Sequence, residues 1–281
     1  MEKLKVLLAP TWESAKQLTP EATVEAEYGE HVLEGSFVTL AHHTGDWAKN
    51  PAPCYTPNVP VLSAGTIVVS HIDLDTIGGI MALIGKKPED KGFWSAAEYI
   101  DLNGPHHGYK FPDQLPKLQA YWAWNFSQPR APRYTEVTDV TNVVLEHIST
   151  ISRVISGDSK LLATGEKWAS ETSTKVEGCL VEENEHYRVF VTDDVFCGAA
   201  YFSPRFQKII PTIVSMNTKF GSITISMEDG GKHASAKEIV QSLWGPEAGG
   251  HAGIAGSPRG EKMTLSDLVQ AVERVGKIGR V

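Results

Sequence analysis

Uninterrupted runs of apolar, mostly β-branched residues mark the first half of the chain. Residues 36–41 and 65–70 form two such runs, and an apolar run within residues 1–9 is ended by Pro10. Runs without polar alternation are typical of strands that are buried on both faces, as in the parallel sheet of an α/β protein. Residues 77–85 follow the second run and predict a short helix that a glycine stops. We therefore expect a first α/β domain with a mainly parallel sheet.

The later part of the chain again alternates between strands and helices. The apolar positions of residues 140–155 recur at helical spacing, which predicts an amphipathic helix. Three strands and two helices are predicted beyond it, over residues 187–192, 209–215, 222–227, 233–243 and 266–275. The last helix follows Thr264 and Asp267, which have the spacing of a capping box. These elements predict a second α/β domain.

A polar segment lies between the two halves. Residues 158–178 are rich in Ser, Thr, Lys and Glu, and we interpret this composition as a linker or hinge. The sequence thus predicts a first domain over residues 1–157, a linker over residues 158–178 and a second domain over residues 179–281. A cleft is expected between the two domains.

Composition and charge narrow the classes of function. The chain has 281 residues, 41% of them hydrophobic, and a formal net charge of −8. This acidic balance argues against a protein that binds long duplex nucleic acid through a basic face, but it leaves a small nucleotide or a short oligonucleotide open as a ligand. No run approaches the roughly 18–20 apolar residues that span a bilayer, so no membrane association is expected. Three dispersed cysteines and the lack of a convincing signal peptide favour a reducing, cytoplasmic setting.

Three side chains that can bind a metal follow the strand predicted at residues 65–70. His71, Asp73 and Asp75 occupy alternate positions, so an extended backbone would direct them to one side. Imidazole together with carboxylates suits Mn²⁺, Fe²⁺ or Zn²⁺, and carboxylates alone suit Mg²⁺. The alternative is structural: the two aspartates would be turn and helix-cap residues, and His71 a hydrogen-bonded polar side chain.

The distribution of histidines favours the metal site. Half of the ten histidines fall in His71 and two adjacent pairs within the first predicted domain. Each pair has an aspartate nearby: Asp46 follows His42 and His43, and Asp101 precedes His106 and His107. We therefore add these residues to the candidate metal ligands, with the exception of His107, which is a candidate catalytic residue.

A glycine-rich loop stands near the C-terminus. Residues 249–256 contain four glycines and one histidine, His251. Glycines leave the backbone N–H groups open to close approach by a ligand, and such a loop suits an anion such as phosphate. Gly249, Gly250, His251 and Gly253 are the candidate substrate-binding residues.

Together these segments resemble the DHH/DHHA1 phosphoesterase superfamily. Residues 71–75 followed by Gly78 and Gly79 are similar to the first metal-binding motif of that family, and residues 222–256 are similar to its strand, helix and GGHxxxAG loop. The resemblance implies two α/β domains joined by a linker, two divalent cations (usually manganese) in the first domain, and a loop that binds substrate phosphate in the second. It implies metal ligation by His71, Asp73 and Asp75, and phosphate binding by Gly249, Gly250 and His251.

The Asp-His-His motif that names the family is absent. Ala41-His42-His43 lies upstream of the first motif, and Pro105-His106-His107 lies downstream of it. Either pair could stand in for the missing motif, and Asp46 or Asp101 could supply its acid.

The leading functional hypothesis is a metal-dependent phosphohydrolase that uses metal-activated water, with Asp75, His106 and His107 as catalytic residues. Its substrate would be a small nucleotide, a short oligonucleotide or another phosphoester. Its cofactor would be a divalent cation, manganese first and Mg²⁺, Fe²⁺ or Zn²⁺ as alternatives, and a homodimer is possible. Two other hypotheses stay open: a catalytically inactive relative that binds phosphate or nucleotide, and a metallohydrolase that cleaves another type of bond.

Overall fold

The computed structural model describes residues 4–129, 136–228, 234–250, 252–258 and 261–278. The chain divides into two compact units, Met1–Ala169 and Ser170–Val281. Each unit combines β-sheet with helices, so the prediction of two α/β domains is confirmed. Within the described ranges, no helix has both the length and the apolar character needed to cross a membrane.

The first unit begins with short strands and continues mainly as helices. Its strands are β1 (Lys5–Leu8), β2 (Ala22–Val24), β3 (Glu27–Tyr28), β4 (His31–Val32), β5 (Val38–Leu40), β6 (Thr66–Val69) and β7 (Thr138–Asp139). Its α-helices are α1 (Trp12–Ala15), α2 (Leu74–Leu83), α3 (Lys91–Asn103), α4 (Leu115–Ser127), α5 (Thr141–Ile155) and α6 (Ser159–Gly178), the last of which continues into the second unit. Two 3₁₀ helices span Gly45–Lys49 and Pro105–Lys110.

A five-stranded sheet forms the centre of the first unit. Its strand order is β5-β2-β6-β1-β7. The first four strands are parallel, and β7 pairs with β1 in the antiparallel direction. One face of the parallel strands packs in the main apolar core, to which α2, α3, α4 and α5 also contribute, and the other face, with Val68 of β6, packs in a smaller apolar cluster with Ala15 of α1. Burial on both faces explains why Ile67, Val68 and Val69 of β6 follow one another without polar alternation.

The segment that was predicted to be a polar linker forms helix α6. Asp158 begins the helix, because its Oδ1 accepts hydrogen bonds from the backbone N–H groups of Lys160 and Leu161. The boundary between the units falls between Ala169 and Ser170, within this helix. Serine, threonine, lysine and glutamate are compatible with an exposed helix as well as with a loop, so composition alone did not distinguish the two.

The second unit is built on a mixed sheet. Its elements are β8 (Leu180–Glu183), β9 (Tyr187–Thr192), β10 (Phe202–Ser203), β11 (Lys208–Ile209), β12 (Thr212–Asn217), β13 (Ser222–Met227), α7 (Ala236–Trp244), β14 (Gly249–Gly250), β15 (Ile254–Gly256) and α8 (Leu265–Ile278). The main sheet has the order β14-β15-β13-β12-β9-β8, and its β12-β9 pair is parallel. Helices α7 and α8 pack their apolar residues against strands β9, β12 and β13. The predicted capping box of the last helix is present, with Thr264 and Asp267 hydrogen-bonded to each other.

A buried arginine holds the opposite side of this sheet together. The side chain of Arg188 on β9 is fully buried and donates to Glu177 at 2.6 and 2.8 Å and to Glu183 at 3.2 Å. It also donates to the carbonyl oxygens of Ala200 and Phe202, both at 2.6 Å. The arginine therefore connects the end of α6, strand β8 and the loop that follows β9.

Candidate metal centre

Three neighbouring strand ends supply the polar side chains of the candidate site. Glu25 directly follows β2, His42 and His43 follow β5, and His71 follows β6. Strand β2 lies between β5 and β6 and is parallel to both. The carboxyl ends of the three strands therefore meet at one edge of the sheet, where open α/β sheets place their ligands.

Glu25 is the centre of this cluster. Its Oε1 lies 3.2 Å from Nε2 of His42 and 3.2 Å from Nε2 of His43, and its Oε2 lies 3.7 Å from Nε2 of His71. The hydroxyl group of Thr76 on α2 donates a hydrogen bond to the same Oε2. Glu25 is buried and has a φ of 48°, a backbone conformation that is uncommon for residues other than glycine. Such conformations concentrate at functional sites, where the surrounding structure maintains them.

The first motif brings its three residues into the same cluster. His71 Nε2 lies 3.2 Å from Oδ2 of Asp73, while Oδ1 of Asp73 accepts the N–H of Thr76 at 2.8 Å and caps α2. Asp73 thus has the capping role that was one of the two alternatives from the sequence, and its second carboxylate oxygen faces His71. Asp75 lies two residues further along, in the first turn of α2, and its Oδ2 is 3.4 Å from Nε2 of His42.

Helix α3 adds one more carboxylate. Oδ2 of Asp101 lies 3.6 Å from Nε2 of His42. These side chains form three overlapping groups in which the ligand atoms lie within 4.8 Å of one another. The groups are Glu25, His71 and Asp73; His42, Asp75 and Asp101; and Glu25, His42 and His43. Glu25 therefore connects the first-motif residues with the histidine pair that follows β5.

The crowding of carboxylates changes their ionisation. Burial, together with the charges of Glu25 and Asp101, raises the pKa of Asp75 well above its usual value. Burial and the charges of Glu25 and Asp73 raise the pKa of Asp101 to about 6. Burial would also raise the pKa of Glu25, but the hydrogen bonds to His42 and His43 and the charge of His71 outweigh it and hold this pKa below its usual range.

His71 shows the opposite shift. Burial acts to lower the pKa of His71, yet its hydrogen bond to Asp73 and the charges of Asp73 and Glu25 raise that pKa to about 9. The positive imidazolium thus compensates part of the negative charge in the metal-free cluster. A divalent cation would supply that compensation more fully.

The donor set fits a divalent cation. Oδ2 of Asp75, Oδ2 of Asp101 and Nδ1 of His42 are buried and have no hydrogen-bond partner among the described residues. Buried polar atoms without partners are costly and call for an explanation such as an ion. A mixture of imidazole nitrogens and carboxylate oxygens suits Mn²⁺, Fe²⁺ or Zn²⁺.

A hydrogen-bond chain directs one histidine nitrogen toward the carboxylates. The hydroxyl group of Ser70 donates to the backbone carbonyl oxygen of Glu25, so its oxygen is left to accept from Nδ1 of His71, 2.8 Å away. With the proton on Nδ1, deprotonation of His71 leaves the lone pair on Nε2, which faces Asp73 and Glu25. Such a partner on the second ring nitrogen is a regular feature of metal-binding histidines.

Other predicted site residues lie apart from Glu25. Asp46 is exposed in the 3₁₀ helix Gly45–Lys49 and pairs with Lys49 at 2.7 Å. His106 and His107 are in the 3₁₀ helix that follows α3, with ring centroids 4.1 Å apart, and neither belongs to the three groups above. Burial lowers the pKa of His106 to about 4, with a further contribution from His107, so His106 is neutral at pH 7.

The glycine loop of the second unit forms a tight hairpin at the edge of the sheet. Gly249 and Gly250 pair with Gly256 and Ala255 across the turn, and the carbonyl oxygen of Gly253 accepts the N–H of Met227 at 2.7 Å. A Cβ atom on Gly250 would lie 2.5 Å from the carbonyl oxygen of Ile254, and its φ of 147° also favours glycine. His251 lies outside the described residues. Close pairing of the hairpin is thus one physical reason for glycine at position 250.

Glu25 is the candidate site residue that the sequence interpretation missed. Strand β2 has only three residues, too few to produce a recognisable hydrophobic pattern. A usable signal was present: a carboxylate directly after a short run with two β-branched residues, one residue closer to its strand than His42 and His71 are to theirs.

Comparisons with known proteins give only weak likenesses. No family model and no curated protein matches the sequence. PggH, a pGpG-specific phosphodiesterase from Vibrio cholerae, is similar to 79% of this chain over 82% of its own length, with 11% identity and a TM-score of 0.46. An exopolyphosphatase-related protein from Bacteroides fragilis is similar to 88% of this chain with 13% identity and a TM-score of 0.38, but the chain spans only 65% of that protein. Likenesses of this strength do not assign the chain to a family.

Proposed function

We propose that this protein is a metal-dependent phosphohydrolase of the DHH/DHHA1 type that acts on a small phosphorylated substrate. The observation that carries the proposal is the convergence of Glu25, His42, His71 and three aspartates at the carboxyl edge of a parallel sheet. Three of these residues belong to the motif by which the sequence resembles that superfamily.

The ligand groups suggest two cation positions. Glu25, His71 and Asp73 would hold one cation, and His42, Asp75 and Asp101 would hold the other. When bound, a pair of divalent cations would activate a water and neutralise the charge that develops on a phosphoryl group. Glu25 has one carboxylate oxygen toward each group, so it would keep the two positions at a fixed separation.

The remaining candidates have supporting roles in this proposal. His106 is neutral at pH 7 because of its low pKa, so we assign it the orientation of substrate rather than the donation of a proton. His107, which is buried beside it, keeps the place of a candidate acid. The glycine hairpin is assigned to substrate phosphate, with Gly249, Gly250, His251 and Gly253 as its contacts.

The test combines metal analysis with hydrolysis. We expect purified protein to bind two Mn²⁺ per chain and to hydrolyse a generic phosphodiester such as bis(p-nitrophenyl) phosphate, with a linear dinucleotide and a short polyphosphate as further substrates. Chelation should abolish the activity, and re-addition of Mn²⁺ should restore it. Asp75→Asn should lose both the second cation and the activity.

Asp46→Asn is the matched control, because Asp46 has the same chemistry but an exposed side chain outside the cluster. It should retain metal content and activity. Hydrolysis that neither chelators nor Asp75→Asn affects would refute the proposal. Tight nucleotide binding without turnover, in protein that contains less than one metal per chain, would instead support the inactive relative. Turnover of a carbon–oxygen or carbon–nitrogen bond would support the other class of metallohydrolase.

A further inference from the structure

The backbone of Cys54 contacts a deeply buried carboxylate of the site, that of Asp75. The N–H group of Cys54 donates to Oδ1 of Asp75 at 2.7 Å, and both residues are buried. The other oxygen, Oδ2, has no hydrogen-bond partner among the described residues and faces His42. The amide thus occupies one side of the carboxylate and leaves the other side available to a cation.

A second contact holds the same residue from the opposite direction. The ammonium group of Lys87 donates to the carbonyl oxygen of Cys54 and lies 5.1 Å from the ring centroid of Trp94. Lys87 is half-buried, and burial lowers its pKa. The peptide groups on both sides of Cys54 are therefore fixed, one by Asp75 and the other by Lys87.

Cys54 can lie this close to α2 only where the helix has a residue without a side chain. Gly78 lies three residues after Asp75, and a Cβ atom on it would be 2.4 Å from Cβ and 2.9 Å from Cα of Cys54. It would also be 2.8 Å from Cζ3 of Trp94. Cβ atoms do not approach each other this closely, so a methyl group at position 78 must displace Cys54. The φ of Gly78 is not positive, so space and not backbone conformation is what requires glycine here.

We propose that Gly78 and Cys54 are positioning residues of the metal centre: the missing side chain at position 78 lets the Cys54 amide bind Oδ1 of Asp75 and direct Oδ2 toward the cation. This inference rests on the proposed function for its consequence, the affinity for metal. The contact on which it depends is independent of any cation. Mutation of a residue that hydrogen-bonds to a metal ligand, without binding the metal itself, commonly lowers metal affinity by about 10- to 100-fold.

The backbone of Cys54, and not its thiol, carries this role. Cys54→Ala keeps the N–H group, so it should keep the Mn²⁺ affinity within about threefold of the wild-type value. Lys87→Met keeps most of the side-chain stem but removes the ammonium group from the Cys54 carbonyl oxygen. It should weaken Mn²⁺ binding, and Lys87→Arg should restore part of the loss.

The decisive variant is Gly78→Ala, with Gly165→Ala as its control. A Cβ atom on Gly165 would lie 2.4 Å from the backbone nitrogen of Ala120, so this variant introduces a similar clash in the same unit without contacting Asp75. Both variants should lose thermal stability. Gly78→Ala should also bind Mn²⁺ about 10- to 100-fold more weakly by titration calorimetry, whereas Gly165→Ala should bind it as the wild type does.

Amide exchange separates failure of this inference from failure of the proposed function. In metal-free protein, the Cys54 amide should be protected from hydrogen exchange, and it should exchange faster in Gly78→Ala and in Asp75→Ala, but not in Gly165→Ala. Equal exchange in the wild type and in Asp75→Ala would overturn the inference whether or not the protein binds metal. Equal Mn²⁺ affinity of Gly78→Ala and the wild type would overturn it as well. Protection without any Mn²⁺ binding would support the contact and refute only the proposed function.

Discussion

Oε1 of Glu25 lies 3.2 Å from Nε2 of His42, and both side chains are closed to solvent. This contact joins the ends of strands β2 and β5, which are separated by 13 residues of sequence between Val24 and Val38. The carboxylate also faces His71 at the end of β6. Glu25 is therefore the residue through which the two proposed cation positions are connected.

Glu25→Gln should disrupt both cation positions. An amide keeps the shape of the side chain but is a much weaker ligand than a carboxylate, so we expect fewer than two Mn²⁺ per chain and affinity reduced by at least about 100-fold. The metal content measured by elemental analysis and the affinity measured by calorimetry check this. Glu13→Gln provides the same substitution at an exposed position and should change neither. An unchanged stoichiometry in Glu25→Gln would remove this residue from the centre.

Mn²⁺ binding should strengthen as the pH rises. His71 has a pKa of about 9 in the metal-free protein and must lose its Nε2 proton to bind a cation. The apparent affinity should therefore rise by up to about tenfold per pH unit toward pH 9 and then level off. Below pH 6 the protonation of Asp101, whose pKa is about 6, should weaken binding further. Calorimetry in buffers of different ionisation enthalpy would count the released protons, and His71→Asn should abolish the dependence above pH 7.

His147 should make the fold sensitive to mild acid. It is buried on α5, its Nδ1 lies 2.8 Å from the hydroxyl group of Tyr121, and burial lowers its pKa from 6.5 to about 4. The unfolded chain therefore takes up a proton at higher pH than the folded chain does. The contribution of His147 is fully present above about pH 6.5 and is lost as the pH falls toward 4, by about 3 kcal/mol.

The pH dependence of denaturant unfolding tests this point. His147→Asn retains an oxygen that can accept from Tyr121 but does not titrate in this range, so its stability should fall less steeply between pH 6.5 and 4. Parallel curves for the wild type and the variant would show that other groups dominate acid unfolding.

Arg188→Met should strongly destabilise the second unit. The substitution leaves the carboxylate of Glu183, whose side chain is 6% exposed, without the cation that faces it. Breaking a buried ion pair from one side typically costs about 3–5 kcal/mol. Arg153→Met is the control, because Arg153 pairs with Asp158 at the surface, where such pairs contribute about 1 kcal/mol or less. Chemical denaturation of the two variants measures the difference, and similar losses in both would contradict this account.

Local patterns predicted the longer strands and four of the α-helices, but not helices α3 and α4. Strands β9 and β13 have the bounds expected from their apolar runs, and α5 and α8 match their helical periodicity to within a few residues. Helix α6 was expected to be a linker because its polar residues outnumber its apolar ones. Its formation depends on the Asp158 cap and on contacts such as Phe126 stacking on Trp168, with ring centroids 5.6 Å apart. Contacts with another helix are not visible in the composition of a single segment.

The candidate site was predictable in part. The alternation of His71, Asp73 and Asp75 predicted a shared direction if the backbone stays extended. In the structure α2 begins at Leu74, so Asp75 belongs to a different ligand group from His71 and Asp73. From the sequence alone, the two histidine pairs were equivalent candidates for the metal site. The structure places His42 and His43 beside Glu25, whereas Asp46, only three residues further on, points into solvent.

Strands β5 and β6 and the polar side chains that follow them could be inferred from the sequence alone, because a run of apolar residues depends on neighbours in the chain. The position of β2 between β5 and β6, and hence the contacts of Glu25 with both His42 and His71, depends on how the strands assemble into the sheet. Strand order is set by the packing of whole layers rather than by local preference. For that reason a short strand with a single carboxylate could become the centre of the site without a strong signal in its own sequence.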